Sequence, residues 1–292
     1  MHLSRIEEHT HYCFNAAVAP VLSVRSGTRL TVETRDASNG QIRPGLNTLV
    51  DRSRLLPVTG PVAMEGAQPG DAVSIHIEKI DFAEAGYAWV RPGLGILNID
   101  TEGPYYAKRI EVTSEGFCLA DDHKIPLRPM VGIIGVGTPE EITTRLPGRH
   151  GGNMDCVDVA PGNTLWLPAL IPGANISFGD VHAAMGEGEV SGTGVEIDAE
   201  VTVTLNLHPG VLIDGPVIVT PRKTVFLASA SEFLQAARSA LGRAVEALVI
   251  RNGFTKKEAY MVASLTGNAR ICQLVNGDVT AAYELPKEVF TW

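Results

Sequence analysis

Residues 195–207 read VEIDAEVTVTLNL, and from residue 200 onward polar and apolar side chains alternate. Successive side chains of a β-strand point to opposite faces of the sheet, so a period of two predicts a long strand with one buried face. The buried face would carry Val201, Val203, Leu205 and Leu207. The stretch therefore indicates a sheet with one face in a hydrophobic core.

Four further stretches combine a tight turn with an alternating apolar run: residues 26–32, 69–75, 161–167 and 172–178. A glycine in each turn, preceded by proline in three of the four, and the alternating apolar residues that follow are typical of a strand start. The stretches are too unevenly spaced for a solenoid or propeller. They predict a single sandwich or barrel built from strands of different lengths.

Helical spacing is confined to the last third of the chain. Apolar residues from Ser231 onward recur at helical intervals until Asn252-Gly253, which predicts a helix that ends there. A shorter helix should follow Thr255, because Glu258 three residues later completes a capping box. The tail across Asn276-Gly277 is typical of a hairpin.

These patterns predict an α+β, β-rich fold. We expect a β-rich catalytic body over residues 1–210 and a smaller C-terminal α/β section over residues 211–292. No low-complexity linker separates the two, so they should pack tightly or form one compact domain.

The overall composition excludes several classes of function. The 292 residues include 24 basic and 33 acidic side chains, a net charge of 24 − 33 = −9, without a basic stripe. Nucleic acid and anionic membranes are therefore poor partners. The chain starts without a basic, apolar leader and has no apolar run of the roughly 20 residues that span a membrane, so we expect a cytoplasmic protein. Its four scattered cysteines should be reduced thiols.

Residues 149–155, RHGGNMD, concentrate reactive groups around two glycines. His150 is either an exposed loop histidine bonded to a backbone carbonyl or a functional group. Asp155 is either a turn or cap former or a partner of His150 on one ion, with the carboxamide of Asn153 beside them. The glycines Gly151 and Gly152 leave the backbone accessible.

A second candidate pair, Asp180 and His182, is spaced so that both side chains share one strand face. That spacing fits metal ligands or an acid and base, and equally an ion pair on a solvent face. Glu196 lies between apolar neighbours, as a solvent-facing side chain or a general base with a raised pKa. Asp36 and Glu65 lie beside turn residues, and composition alone favours a turn role for both.

Other catalytic classes lose support because their motifs are absent. The chain has no GxSxG, HExxH or GxxxxGK motif. Cys156 as a nitrilase-like nucleophile is a weak candidate, because a lone cysteine is commonly an inert apolar residue.

An ordered series of short motifs resembles the acetamidase/formamidase family over most of the chain. The strongest matches are His150-Gly151-Gly152-Asn153 with Asp155, Gly179-Asp180, His182-Ala183, Gly188-Glu189 and Glu196. The resemblance implies hydrolysis of a small linear amide to a carboxylate and ammonia, a jelly-roll-like β body and a homo-oligomer.

Two positions depart from the family pattern. Met185 stands where the family usually has glutamine, and Glu187 where it usually has aspartate. Both departures concern the substrate rather than the reaction class. We therefore group Glu65, Asp180, Met185 and Glu187 as substrate-contacting or supporting residues.

Hydrolysis of an unactivated amide without a serine triad is most simply performed with a metal ion. Our hypothesis is a divalent cation, zinc first and calcium second, bound by Asp36, His150, Asp155 and His182. Glu196 would be the general base. Asn153, Gly151 and Gly152 would stabilise the oxyanion. The alternatives are a non-catalytic protein that binds a small polar ligand, and a hydrolase of larger amides or cyclic imides.

Overall fold

Strands form most of the regular structure in the computed structural model, which describes residues 1–120 and 123–292. In chain order, the first eleven strands are β1 (His2–Leu3), β2 (Thr10–His11), β3 (Cys13–Phe14), β4 (Leu22–Val24), β5 (Thr28–Thr34), β6 (Val58–Met64), β7 (Ala72–Phe82), β8 (Ala85–Val90), β9 (Tyr106–Glu111), β10 (Phe117–Cys118) and β11 (Lys124–Ile125). The next eleven are β12 (Met130–Gly135), β13 (Ile142–Thr143), β14 (Pro147–Gly148), β15 (Gly151–Asn153), β16 (Thr164–Pro168), β17 (Ile176–His182), β18 (Ala199–His208), β19 (Val217–Val219), β20 (Lys223–Ala230), β21 (Asn268–Gln273) and β22 (Val279–Pro286).

The helical part consists of α1 (Phe233–Asn252), α2 (Lys256–Thr266) and the short 3-10 turns Glu7–His9 and Arg52–Arg54. Together these elements confirm the β-rich α+β class predicted from the sequence. Neither α1 nor α2, the two α-helices in the described ranges, is long and apolar enough to cross a membrane.

Two large sheets organise the molecule. The nine-stranded sheet has the order β1-β5-β18-β7-β16-β19-β20-β22-β21, and the seven-stranded sheet has the order β14-β15-β12-β17-β6-β2, with β4 added beside β6. Most neighbours are antiparallel, whereas β1 pairs with β5 and β4 with β6 in parallel. Both sheets are open, so neither closes into a barrel, and the jelly-roll detail is not confirmed.

Apolar residues from both sheets share one core. Val32 and Ile75 of the nine-stranded sheet and Val131 and Phe178 of the seven-stranded sheet are completely buried in the same cluster. The alternation predicted for β18 is responsible for part of this contact, because Val201 and its neighbours at alternate positions point into the core. The sheets therefore pack face to face.

The long strand begins four residues later than the start of the predicted stretch 195–207. β18 starts at Ala199, whereas Glu196 forms isolated bridges to Tyr87 and His182. Residues 195–198 thus leave the nine-stranded sheet and contact β8 and β17. This departure brings Glu196 to the seven-stranded sheet.

Both predicted helices are present at the expected residues. α1 ends at Gly253, whose φ of 73° is the left-handed conformation that glycine adopts at helix C-termini. α2 begins after Thr255, and Thr255 and Glu258 form the predicted capping box. The hairpin across Asn276-Gly277 is β21 with β22.

The C-terminal section extends the nine-stranded sheet. β16 pairs with β19 across the predicted boundary at residue 210, and α1 packs on β20 and β22, with α2 on β22. A second apolar cluster, which includes Val217, Phe226, Leu248 and Tyr283, lies beneath these helices. The division into 1–210 and 211–292 stays a prediction.

Candidate active site

Five buried ionisable side chains converge near one end of β17. Asp155, His182 and Glu189 have ligand atoms within 4.8 Å of one another, and so do Asp180, His182 and Glu196. All five side chains are at most 6% exposed. We call these five residues the acidic cluster. Four carboxyl groups around one imidazole cannot all be ionised in a buried site unless additional positive charge compensates them.

Contacts between neighbouring strands place the members of the cluster. Asp180 and His182 lie on β17, and Nε2 of His182 is 3.3 Å from Oδ1 of Asp180. Glu196 exchanges two backbone hydrogen bonds of 2.8 Å with Tyr87 and lies beside His182, with Oε2 3.1 Å from Nε2. The backbone N–H of Gly194 donates to the other oxygen, Oε1 of Glu196, at 3.0 Å.

Three of the four acids adopt an unusual backbone conformation. The φ angles are 42° at Asp155, 56° at Asp180 and 45° at Glu189. Left-handed conformation in residues other than glycine costs on the order of 1–3 kcal/mol each and is found at functional sites when the surrounding structure imposes it. Here the conformation turns three carboxyl groups towards the same point.

Gly132 has no side chain, and the carboxylates of Asp155 and Asp180 occupy the space that a side chain would fill. It lies on β12 opposite Asp180, and a Cβ atom at this position would lie 2.7 Å from Oδ2 of Asp180 and would also contact Oδ1 of Asp155. Gly194 has the same role beside the imidazole, since a Cβ there would lie 2.7 Å from Nδ1 of His182. The cluster therefore depends on two positions without side chains.

Two amide side chains orient the carboxylates. Nδ2 of Asn276 donates to Oδ2 of Asp155 at 2.6 Å. In the amide orientation that satisfies both of its polar atoms, Asn153 donates to Oδ2 of Asp155 and to Oδ2 of Asp180, each at 3.0 Å, and accepts from Asn276 at 3.0 Å. Both donors of Asn153 are then used to hold two carboxylates.

Burial dominates the electrostatics of the cluster. Burial, and then the nearby charge of Asp180, raise the pKa of Asp155 to about 7. Burial also raises the pKa of Glu196 to about 8 and that of Glu189 well above its ordinary value. For His182, burial lowers the pKa, but the carboxylates of Glu196 and Asp180 outweigh it and raise the pKa well above its ordinary value.

The cluster has several buried atoms that no protein group satisfies. In the part of the chain that the structure describes, Nδ1 of His182, Oδ1 of Asp155 and Oε2 of both Glu189 and Glu196 have no hydrogen-bond partner. Unsatisfied buried polar atoms are costly, so their convergence is a feature expected of a ligand site. A mixed oxygen and nitrogen donor set of this kind fits a divalent cation.

A cavity of about 80 Å³ opens onto the cluster. Asp180, Glu189, Glu196 and Asn153 line its floor, and Trp89 and Leu56 belong to its apolar wall. A small polar molecule in this cavity would contact both the carboxylates and an apolar surface. Such a mixture is typical of small-molecule sites.

His150 lies apart from His182. The turn between β14 and β15 brings its ring against Phe14, with the two ring centroids 4.9 Å apart. Burial lowers the pKa of His150 to about 4, and Nε2 has no hydrogen-bond partner among the described residues. Of the four predicted metal ligands, the structure brings together Asp155 and His182 but not His150.

Asp36 organises a loop outside the cluster. Its carboxylate accepts hydrogen bonds from the backbone of Ser38 at 2.9 Å and of Gly40 at 3.2 Å, and pairs with Arg43 at 3.0 Å. This is the turn role that its sequence context favours. The loop contributes Ile42 to the cavity wall. Asp36 therefore stabilises a part of the wall without lining the cavity itself.

The remaining predicted residues lie in different surroundings. Glu65 is exposed and pairs with Arg25 at 3.3 Å, and Glu187 forms ion pairs with Arg270 and, at 4.0 Å, with Arg128. Met185 is buried and lines a separate apolar cavity of about 700 Å³. Gly151 and Gly152 belong to the β12–β15 ladder, whereas Asn153 lines the cavity. The catalytic and oxyanion roles stay predictions.

Sequence reasoning missed two members of the site. Glu189 belongs to the Gly188-Glu189 family match but has no predicted role, and Asn276 is predicted only as a turn residue of the hairpin. Gly188, directly before Glu189, is the local sequence signal, because a glycine beside an acid is typical of a tight turn. The structure shows Glu189 itself in the left-handed conformation. Asn276 carries no such signal, because its contact with Asp155 spans 121 residues.

Comparison with known proteins covers the whole chain. The model of the acetamidase/formamidase family matches residues 2–145 and 140–292. A recombinant predicted acetamidase/formamidase of Thermoanaerobacter tengcongensis is 34% identical, with a TM-score of 0.94 over 99% of this chain and 96% of that one. An acetamidase of Bacillus halodurans is 33% identical, with a TM-score of 0.94 over 100% of both chains.

Sequence similarity to curated proteins is lower. The formamidase of Methylophilus methylotrophus is 23% identical over 67% of this chain and 62% of its own length. The chain spans 60% to 66% of the length of the curated relatives it matches. The family model, the two solved structures and the ordered motifs all agree, and the chain belongs to the acetamidase/formamidase family.

Proposed function

We propose that this protein hydrolyses a small linear amide of the formamide or acetamide type to a carboxylate and ammonia. Family membership supports the reaction class. The observation that carries the proposal is the convergence of four buried carboxyl groups on His182 at the floor of a cavity. In the reaction, the carbon–nitrogen bond breaks, a carbon–oxygen bond to water forms, and the nitrogen leaves with a proton.

The acidic cluster fits one divalent cation, with zinc the first candidate and calcium the second. Asp155, His182 and Glu189 would hold it, because their ligand atoms lie within 4.8 Å of one another, and Asp180 would join them because its Oδ1 lies 3.3 Å from His182. Such an ion polarises a carbonyl and lowers the pKa of water to about 7. This ligand set replaces Asp36 and His150 by Asp180 and Glu189.

Glu196 is the residue best suited to move the proton. Its Oε1 is fixed by the N–H of Gly194, whereas Oε2 lies 3.1 Å from Nε2 of His182, and the residue lines the cavity. A pKa near 8 allows the carboxyl group to exchange protons close to neutral pH. It would accept a proton from water at Oε2 and deliver it to the departing nitrogen.

Asn153 and Asn276 would keep the carboxylates in position. Their amide groups form a short chain that ends on Asp155 and Asp180. The apolar wall, which includes Trp89, would exclude bulk water from the amide. A cytoplasmic location and a homo-oligomer remain predictions that accompany this proposal.

Ammonia release from formamide, acetamide and bulkier amides tests the reaction. Glu196→Gln should abolish turnover while substrate binding persists, and Glu8→Gln, at an exposed carboxylate that does not line the cavity, is the matched control. Retention of full turnover by Glu196→Gln would contradict the role of Glu196. A protein that binds amides without releasing ammonia would instead be a binding protein.

Chelation tests the cation separately. Activity should fall after exhaustive treatment with a chelator and return on addition of zinc. Full activity in rigorously metal-free protein would eliminate the metal mechanism and leave the amidase proposal standing.

A further inference from the structure

Three arginines line the cavity whose floor is the acidic cluster: Arg52, Arg91 and Arg145. In residues 1–120 and 123–292, none of the three guanidinium groups has a carboxylate oxygen within 4.0 Å, in contrast to the neighbouring Arg54, which pairs with Glu7 at 2.6 Å. Arginines without acidic partners beside a cavity leave a concentration of positive charge. We call these three residues the arginine rim.

Local structure presents each arginine to the cavity. Arg52 lies in the 3-10 turn Arg52–Arg54, which Asp51 caps by accepting from the backbone of Ser53 at 3.0 Å. Arg145 follows Thr144, whose buried hydroxyl donates to the backbone carbonyl of Leu56 at 2.7 Å. Arg91 comes directly after β8. Three separate segments therefore contribute to the arginine rim.

The arginine rim is electrostatically unfavourable without an anion. Burial lowers the pKa of Arg145, and the like charges of Arg52 and Arg91 lower it further. Guanidinium groups match the geometry of a carboxylate and bind it through two parallel hydrogen bonds. A carboxylate is therefore a fitting partner for the rim, and no acidic side chain of the described cavity lies within ion-pair distance of it.

The cavity is polarised from its rim to its floor. The arginine rim carries positive charge, whereas three acids of the acidic cluster, Asp180, Glu189 and Glu196, line the floor. A molecule with an anionic group at one end and a neutral amide at the other would be oriented by this arrangement. Its carboxylate would stay at the rim, and its amide would reach the acidic cluster.

We infer that the amide substrate carries a carboxylate on a short chain, and that Arg52, Arg91 and Arg145 bind this carboxylate. The inference deepens the amidase function proposed above and rests on it. The preferred substrate is thus a small linear amide that also carries a carboxylate, the monoamide of a small dicarboxylic acid.

The test compares succinamate with its neutral isostere succinamide. Wild-type protein should hydrolyse succinamate with a kcat/KM at least 10-fold higher, because a hydrogen bond to a charged group contributes about 1.5–3 kcal/mol, or roughly 10- to 150-fold. Arg145→Met should reduce that ratio by about 10-fold or more. Arg52→Met should reduce it as well, and because Arg52 is exposed the substitution leaves the core intact.

Matched controls separate recognition from general effects of charge. Arg238→Met removes an exposed arginine on α1, far along the chain from the cavity, and should leave the ratio unchanged. Arg145→Lys retains the positive charge but loses the paired hydrogen-bond donors of the guanidinium group. It should lower the ratio of kcat/KM for succinamate to that for succinamide less than Arg145→Met does. A wild-type ratio of one or below, or a ratio that Arg145→Met leaves unchanged, overturns the inference.

Ligand-binding measurements test the arginine rim independently of the amidase proposal. If no amide releases ammonia, the amidase proposal fails, and calorimetric titration with succinate and with succinamide still tests the arginine rim. Tighter binding of succinate that weakens in Arg145→Met supports the rim as a carboxylate site. Equal or undetectable binding of both ligands overturns it, as expected if a carboxylate of a second protein chain fills the rim.

Discussion

Gly132→Ala should inactivate the protein with only a moderate loss of stability. The added Cβ would lie 2.7 Å from Oδ2 of Asp180, whereas ordinary contacts between carbon and oxygen are about 3.3–3.6 Å. The carboxylate of Asp180 must therefore move by about 0.6–0.9 Å, and that of Asp155, which is closer, must move further. A displacement of about 1 Å in a catalytic site can cost about 100-fold in rate, or about 2.7 kcal/mol of transition-state stabilisation.

Stability should respond less than activity does. Overpacking of a dense interior typically costs about 1–3 kcal/mol, so Gly132→Ala should remain folded in the absence of denaturant. The assay is kcat/KM for ammonia release, paired with urea unfolding of the same preparations. Chelated and zinc-supplemented samples should be compared, because displaced carboxylates would also weaken cation binding.

Gly242→Ala provides the matched control. Gly242 lies within α1, and a Cβ there would meet nothing within 4 Å. Alanine should stabilise the helix by about 0.5–1 kcal/mol and leave kcat/KM unchanged. Full activity of Gly132→Ala would refute the reasoning, since it would mean that the positions of Asp155 and Asp180 do not matter for turnover.

Three further outcomes are expected. In metal-free protein the free energy of unfolding should fall as pH rises from about 6.5 to about 8, because the raised pKa values of Asp155 (about 7) and Glu196 (about 8) make the folded state bind more protons there, whereas the lowered pKa of His150 (about 4) acts only below that interval; a melting temperature that rises over the same interval would contradict this. Asp36→Asn should destabilise the protein by about 1–3 kcal/mol by urea unfolding and raise KM more than it lowers kcat, because the carboxylate holds a loop of the cavity wall through charged hydrogen bonds with Arg43 and the backbone; an unchanged KM would show that the loop does not shape the cavity. Thr255→Ala should cost about 1 kcal/mol through loss of the helix cap and leave kcat/KM unaltered, so an effect on turnover would indicate that α2 is coupled to the site.

Features encoded over short distances were predictable. The alternation of β18, the helical spacing and stop of α1 and the capping box of α2 each depend on residues within a few turns of one another. Side-chain periodicity identifies the apolar face of a strand or helix without knowledge of the element that packs against that face. The β-rich class and the hairpin at Asn276 followed from the same kind of local pattern.

Part of the site could also be predicted. Asp180 and His182 share a strand face because their spacing is two residues, and both belong to the acidic cluster. Glu196, expected between apolar neighbours, is buried in the same group. Asp36 and His150 carry equally suggestive chemistry, yet one organises a loop and the other packs on Phe14.

The primary sequence was sufficient to identify the family, the strand-dominated class and the residue types of the site. The ligand geometry required the folded chain, because backbone rotation at Asp155, Asp180 and Glu189 and the empty space at Gly132 bring together groups that are distant in sequence. The arginine rim arises in the same way, from three segments with no shared motif. Local patterns report which atoms each residue offers, whereas sheet pairing and long-range contacts determine which of those atoms meet.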